Sequence, residues 1–275
     1  MIPKVASIAG SDPSGGAGIQ ADLKAFSALG AYGCAVLTAL TAQSTRGVTG
    51  VHAVPAAFVE EQIRTLVADV PLDAVKIGML ATAELAETVG ALIADVIDAP
   101  VVLDPVMIAT SGDRLLSDDA MDAVRALVPL AALITPNLHE AAALLGEPVA
   151  SDLGAARAQA LALRELGAAR VLVKGGHGAG GTSVDVFADA DGVHELSARR
   201  IDTKNTHGTG CSLSSAIAAL VPQRATWLEA VADAKTWLTG AIAAADQLQV
   251  GSGSGPVHHF HALWTDTPVI ERNPA

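Results

Sequence analysis

Seven residues, Asn205-Thr206-His207-Gly208-Thr209-Gly210-Cys211, hold the densest chemical signal in the chain. Two glycines flank a threonine directly before Ser212–Leu220, a run of small and apolar residues that predicts a buried helix. Gly208 to Cys211 therefore falls at a helix N-terminus. There, unpaired backbone N–H groups converge, the helix dipole favours negative charge, and glycine lets a ligand approach the main chain. The occupant that fits is an anion, above all a phosphate. Cys211 adds a thiol where the thiolate is favoured, with pKa values of roughly 3.5–7.5 in strongly activated cases, so it could act as base or nucleophile. The structural alternative is a tight turn followed by a small buried cysteine.

Such a loop needs a scaffold, and the rest of the chain alternates short β-branched runs with amphipathic helical stretches, the pattern of a mostly parallel sheet covered by helices. Strands are predicted at Val5–Ala9, Cys34–Thr41, Ala74–Ile77, Val101–Asp104, Ala132–Ile134 and Val171–Val173. Helices are predicted at Ala17–Leu29, Pro55–Asp69, Ala83–Ile97, Asp118–Leu127, Leu138–Leu145, Asp152–Leu166 and Thr226–Asp246. Gly30 and Gly167 read as helix stops, Ser117 before Asp118-Asp119 as a cap, and Thr226 with Glu229 as a capping box. Phe187–His194, with Asp191-Gly192 in its turn, predicts a hairpin that adds an antiparallel edge late in the chain. Gly251–Pro256 reads as an exposed loop.

In such sheets ligands bind outside the carboxyl ends of the strands. Polar residues fall there repeatedly: Gly10-Ser11-Asp12, Gln43, Gly78-Met79, Asp104-Pro105-Val106-Met107, Asn137 and Lys174-Gly175-Gly176. Two patterns of the dinucleotide type fail on context. Gly16–Ala21 lacks the acidic residue expected about twenty positions on, and Gly176–Gly181 precedes a strand rather than a helix. Gly10–Gly15 has the spacing of a P-loop, but Gly16 stands where lysine is required.

The chain of 275 residues, 51% hydrophobic, can fill the core of one large domain spanning 1–275. A charge of −12 and 3% aromatics offer neither a basic surface nor a stacking platform for nucleic acid. No apolar run reaches the ~20 residues of a membrane span, and the N-terminus lacks the features of a signal peptide, so a cytoplasmic protein is expected. Two cysteines make no disulfide framework and no zinc spacing. Phosphate would have to be held by local N–H groups and a few basic residues, which favours a small ligand accompanied by a metal.

Asn137 and Glu140 form a capping box, yet the same Glu140 could face a phosphate-borne Mg²⁺, joined by Asp104. Lys174 ends a strand before two glycines and is placed to neutralise a phosphoryl group; Lys76, inside a strand, reads as structural. Gln43 could pair with a heterocycle edge, its amide being donor and acceptor at once. Met79, Val106 and Met107 could wall a pocket or simply fill core, and His258-His259-Phe260-His261 lacks the partners of a metal site.

Taken together, Ile8–Asp22, Lys76–Leu80, Leu103–Met107, Thr135-Pro136-Asn137 with Glu140, Val173–His177, Thr206–Cys211 and Gly255–His261 resemble the bacterial hydroxymethylpyrimidine/phosphomethylpyrimidine kinases of thiamine biosynthesis. The resemblance implies a ribokinase-like three-layer α/β/α sandwich, without a large lid and usually homodimeric. It implies two successive phosphorylations of 4-amino-5-hydroxymethyl-2-methylpyrimidine with ATP and Mg²⁺. By resemblance, Gln43, Gly10, Asp12, Met79 and Val106 bind substrate; Lys174, Asn137, Thr206, Gly208 and Gly210 bind ATP; Asp104 and Glu140 serve the metal. The Gly208-Thr209-Gly210-Cys211 amides and Lys174 would stabilise the transferred phosphoryl group, and Cys211 would be the base for the substrate hydroxyl, or would orient it while the γ-phosphate takes the proton. Relatives of this fold commonly carry aspartate at the position of Cys211.

The nearest rival is a pyridoxal or pyridoxine kinase of the same fold. A thiolate hydrolase using Cys211 and His207 is a rival of another class, although no third group orienting His207 is evident in the sequence. A non-catalytic pyrimidine-binding protein is the third.

Overall fold

The β-branched runs pair into one eight-stranded sheet in a computed structural model that describes residues 1–107, 120–175 and 180–264. The strands are β1 (Lys4–Ala9), β2 (Tyr32–Leu37), β3 (Ala39–Ser44), β4 (Gly47–Ala53), β5 (Ala74–Ile77), β6 (Val101–Leu103), β7 (Leu133–Ile134), β8 (Val171–Val173), β9 (Thr182–Ala188) and β10 (Val193–Arg199). The main sheet runs β10-β9-β8-β7-β6-β5-β1-β2, while β3 and β4 form a separate two-stranded sheet. Pairings from β2 through β8 are parallel, and β9 and β10 add the late antiparallel edge.

Alternation along each strand builds two cores. Val101 and Leu103 join the core beneath α2 (Ala56–Asp69), α3 (Ala83–Asp95), α4 (Ala120–Leu127), α5 (Leu138–Leu145) and α6 (Leu153–Glu165). Val102, between them, points into the opposite core beneath α1 (Gly18–Ala28), α7 (Thr209–Leu220) and α8 (Trp227–Ala243). A strand buried on both faces needs an unbroken apolar run, which is what β6 and β8 have. α7 is buried at every position from Ser212 to Leu220, and its small residues let it lie close against the sheet. The result is the expected three-layer α/β/α sandwich.

Element ends obey local chemistry. Asn137 with Glu140, and Thr226 with Glu229, form the two capping boxes, and Gly146 and Gly167 close α5 and α6 at positive φ. The predicted cap at Ser117-Asp118-Asp119 lies outside the described residues, as do residues 176–179.

One predicted strand is wrong. Cys34–Thr41 is broken at Thr38, whose N–H donates to Ala9 O, whose hydroxyl donates to Met79 O over 2.7 Å, and whose carbonyl accepts from Val54 N–H. These tertiary bonds end β2 and turn the chain into the β3–β4 hairpin. Gln43 consequently sits within β3, not in a loop after a sheet strand. The Gly251–Pro256 loop is exposed only at its start: a Cβ on Gly253 would strike the Thr45 carbonyl at the hairpin turn, and Gly255 and Pro256 are buried.

Candidate active site

The carboxyl ends of β1, β5, β6, β7 and β8 open onto a cavity of about 540 Å³, within the range of small-molecule sites. Gly208 is the N-cap of α7 at φ 75°, a left-handed conformation that favours glycine, and a side chain there would run into the Gly16 carbonyl. Ser212 N–H is bonded to the Gly208 carbonyl at 2.8 Å, so Gly210 and Cys211 lie in the first turn, where N–H groups have no helical acceptor. A Cβ on Gly210 would lie 3.2 Å from Lys174 Nζ. The helix N-terminus and the ammonium are therefore neighbours on one wall of the cavity.

Lys174 follows β8 and is held by two carboxylates, Asp104 Oδ1 at 2.8 Å and Glu140 Oε2 at 3.9 Å. Burial works against its charge, but Asp104 and Glu140 outweigh it and raise its pKa. Asp104, after β6, also accepts from the Thr135 hydroxyl at 3.1 Å; burial opposes its ionisation, yet Lys174 and Lys76 bring its pKa below the usual range. Glu140 is different. Burial, reinforced by Asp104, overcomes Lys174 and lifts its carboxyl to about 7. Its carboxylate still completes the capping box, accepting the Asn137 N–H at 2.7 Å, so capping and site roles coincide in one side chain. Two carboxylates sharing one ammonium leave negative charge only partly matched, which fits an added hydrated cation arriving with a phosphate.

The Cys211 thiol does not follow its helix-terminus prediction. Although Lys76 and an N–H from Gly18 favour the thiolate, burial together with Asp104 and Asp22 pushes the pKa up to about 11. The free site thus holds a neutral thiol at pH 7. Beneath it lies Lys76. It borders the cavity and is wholly buried, bonded to Asp22 at 2.9 and 3.0 Å, while Ser7 and Ser215 also donate to that carboxylate.

In the same cavity Met79 packs over Gly10, where a Cβ would come within 2.5 Å of its terminal methyl, and Val106 adds apolar lining. Gln43 reaches in from β3. Asp12 accepts from the backbone of Ser14, Gly16 and Ala17 and pairs with His207 Nε2 at 2.8 Å. Burial opposes its charge, but His207 and Ser14 outweigh burial and lower its pKa. The residues predicted to bind substrate, ATP or metal, Thr206 and Thr209 included, border this one cavity, whereas Met107, offered as a wall or as core, lies in the core.

Three features escaped the sequence reading. Asp12 pairs with His207, a partner that was not evident in the sequence; the partner found for Cys211, however, is Gly18 N–H. Lys76 and Asp22 pair across 54 positions. Lys235 of α8 meets Asp185 of β9 at 2.7 Å, and both border the cavity. For Lys235 a signal existed, since it lies on the apolar stripe of α8 with Val231, Ala234 and Leu238. His258 and His259 are buried, and His259 Nε2 lies 2.9 Å from the Ser212 hydroxyl; burial lowers its pKa to about 3.

Among solved structures, pyridoxal kinase from Staphylococcus aureus in complex with AMP-PCP and pyridoxal superposes with a TM-score of 0.87 at 31% identity, covering 97% of this chain and 96% of that one. A three-layer sandwich with a glycine-lined anion loop, a lysine and paired carboxylates at its strand ends is a small-molecule kinase of the ribokinase-like class. A family model described as phosphomethylpyrimidine kinase matches residues 12–258, and the chain belongs to that family. It is 53% identical to the hydroxymethylpyrimidine/phosphomethylpyrimidine kinase of Salmonella typhimurium over 258 residues, 94% of this chain and 97% of the relative. It is also 48% identical to a thiamine biosynthesis bifunctional protein of Geobacter sulfurreducens, matching 94% of this chain and 52% of that longer protein.

Proposed function

We propose that the whole chain, 1–275, acts as one kinase domain that phosphorylates 4-amino-5-hydroxymethyl-2-methylpyrimidine and then its monophosphate, in thiamine biosynthesis. The observation that carries this reading is that one cavity is lined both by the α7 N-terminus with Lys174 and by the Gln43 amide with the apolar Met79 and Val106. In the first step the hydroxymethyl oxygen bonds to the γ-phosphorus of ATP as the bond to ADP breaks, and the hydroxyl proton passes to a phosphoryl oxygen. In the second step an oxygen of the monophosphate is the nucleophile.

Each residue has a share in this. Gly10, Asp12, Gln43, Met79 and Val106 form the substrate end. Asn137, Thr206, Gly208 and Gly210 hold the ATP phosphates with Lys174, and the Gly208–Cys211 amides meet charge that develops on the transferred group. Asp104 and Glu140 would hold Mg²⁺ through its water shell, the ion supplying charge neutralisation between phosphates. Cys211, a thiol in the free site, orients the hydroxyl rather than deprotonating it beforehand.

The enzyme works in the cytoplasm, where ATP is available, and as a homodimer. β4 has an open edge among the described residues, and Leu40 and Val51, on opposite faces of this hairpin, are about half exposed (47% and 46%), apolar area flanking an edge that calls for cover. Chromatography of a reaction with ATP, Mg²⁺ and the hydroxymethylpyrimidine tests the activity. Monophosphate followed by diphosphate is expected; ATP left intact while the pyrimidine binds would make the protein a binder and not a kinase.

A further inference from the structure

Antiparallel pairing of β8 with β9 matches Val171 with Ala188, Leu172 with Phe187 and Val173 with Val186, and it stops one residue short of Lys174. Past the end of the ladder, the peptide groups around Lys174 need other partners. The Lys174 N–H donates to the Pro136 carbonyl at 2.8 Å, on the β7 side. The next N–H, that of Gly175, donates not to a strand carbonyl but to Asp185 Oδ1 at 2.8 Å, on the β9 side. Gly175 permits this approach because it has no side chain, for a Cβ there would collide with the Val184 carbonyl oxygen. The backbone that carries Lys174 is thus pinned from both sides, once by main chain and once by a side chain.

The second oxygen of Asp185 is committed as well. Oδ2 meets Lys235 Nζ of α8 at 2.7 Å, and both residues are buried, at 5% and 7% exposure. Lys235 lies on the buried stripe of α8, between Ala234 and Leu238, where an apolar side chain could pack in its place. A buried ion pair is a poor device for stability, since the cost of taking two charges out of water offsets most of their attraction. What this pair does accomplish, on the lining of the cavity, is to hold one carboxylate oxygen on the Gly175 N–H.

We propose that Asp185, clamped by Lys235, is a positioning residue: by holding the Gly175 amide it fixes where the end of β8 delivers the Lys174 ammonium, and with it the placement of the transferred phosphoryl group. This rests on the role of Lys174 proposed above and deepens it. Lys174 Nζ must stay 2.8 Å from Asp104 and beside Gly210 at the α7 N-terminus. Its four-carbon stem is flexible, so its root in the backbone has to be the fixed point. A tether on the following peptide supplies that point, and Lys235 ties the tether to α8, which packs against α7. The strand end with the ammonium and the helix with the anion-binding amides are thereby held in one frame.

The test compares two double variants, Lys235→Met with Asp185→Asn and Lys235→Met with Asp185→Ala. Both remove the ion pair without stranding a buried charge, but only the first keeps an acceptor for the Gly175 N–H. Turnover of the hydroxymethylpyrimidine at saturating ATP and Mg²⁺ is expected to be at least about tenfold faster in the asparagine variant, since a 1 Å misplacement can cost about 100-fold, with KM for the pyrimidine alike in the two. In a Lys174→Met background the same comparison should give a ratio near one, because a residue that acts through Lys174 has nothing left to act on. AMP-PCP affinity by calorimetry, on the same proteins, carries the cycle where turnover falls below detection. Equal turnover and affinity in the two double variants would overturn the proposal. So would a ratio that persists without Lys174, which would make Asp185 a support of the fold alone. Lys174→Met with the turnover and AMP-PCP affinity of the wild type would sink the role of Lys174 itself, and the proposal with it. Thermal melting shows which variants are folded; if either double variant is not, Asp185→Asn and Asp185→Ala with Lys235 intact take their place in the cycle.

Discussion

A thiol raised to about 11 is almost wholly protonated at neutral pH, and this sets what Cys211 can contribute. If it orients the hydroxyl, Cys211→Ala should lower kcat by less than about 100-fold, below the upper range of general-base contributions, and the pH profile should show no limb between 6 and 9 from this group. Loss of about 1,000-fold or more, or fast alkylation of the free enzyme at pH 7, would restore the base assignment. Glu140 yields a second expectation. Its pKa, raised mainly by burial, means that the folded state binds more protons than the unfolded one between the ordinary glutamate value and about 7, so its contribution to stability is lost as pH rises through that window. Glu140→Gln should therefore melt higher than wild type at pH 8, differ little at pH 5, and lose Mg²⁺-dependent turnover. An unfolding series that shows equal melting shifts at both pH values would contradict the assigned burial. The position of Cys211 was legible from Gly-Thr-Gly before an apolar run. Its protonation was not, because it is set first by burial in the folded chain and then by Asp104 and Asp22, which reach it from distant parts of the sequence.

The element that matters most is the junction of α7 with the loop after β1. Gly208 has φ 75° and its missing side chain lets the Gly16 carbonyl approach, whereas Gly146, at φ 69°, has nothing within 4 Å of the place a methyl would take. Gly208→Ala should cost more than the roughly 1–3 kcal/mol of backbone strain alone and abolish turnover; Gly146→Ala should show only the strain, a melting shift of a few degrees, with activity kept. Comparable stability and activity in the two variants would show that the loops need not touch. Sequence periodicity revealed the parallel strands and most helices, since both faces of the sheet are buried and the β-branched runs stay unbroken. It missed β4, because Gly47-Val48-Thr49-Gly50-Val51-His52-Ala53 is mostly exposed and has no clean alternation. It also merged β2 with β3, because the break at Thr38 is made by hydrogen bonds to Ala9, Met79 and Val54.

At the scale of the whole molecule, a chain of charge −12 that uses ATP has, on the proposed reading, to attract a polyanion with a local device rather than with its overall field. On that reading the helix terminus and Lys174 supply the attraction for phosphate within a chain whose net charge is negative. The proposed dimerisation belongs to this scale too. Leu40→Lys combined with Val51→Lys should convert a homodimer to monomers in light scattering while leaving the monomer folded; an unchanged dimer would place the interface elsewhere. The most direct measurement of the central claim is kcat/KM for 4-amino-5-hydroxymethyl-2-methylpyrimidine and for pyridoxal, side by side, with ATP and Mg²⁺. The hydrogen-bonding Gln43 end predicts a preference for the pyrimidine of about 100-fold or more, with diphosphate as the final product. Equal or greater efficiency on pyridoxal, with no diphosphate formed, would contradict the account and make this chain a pyridoxal kinase.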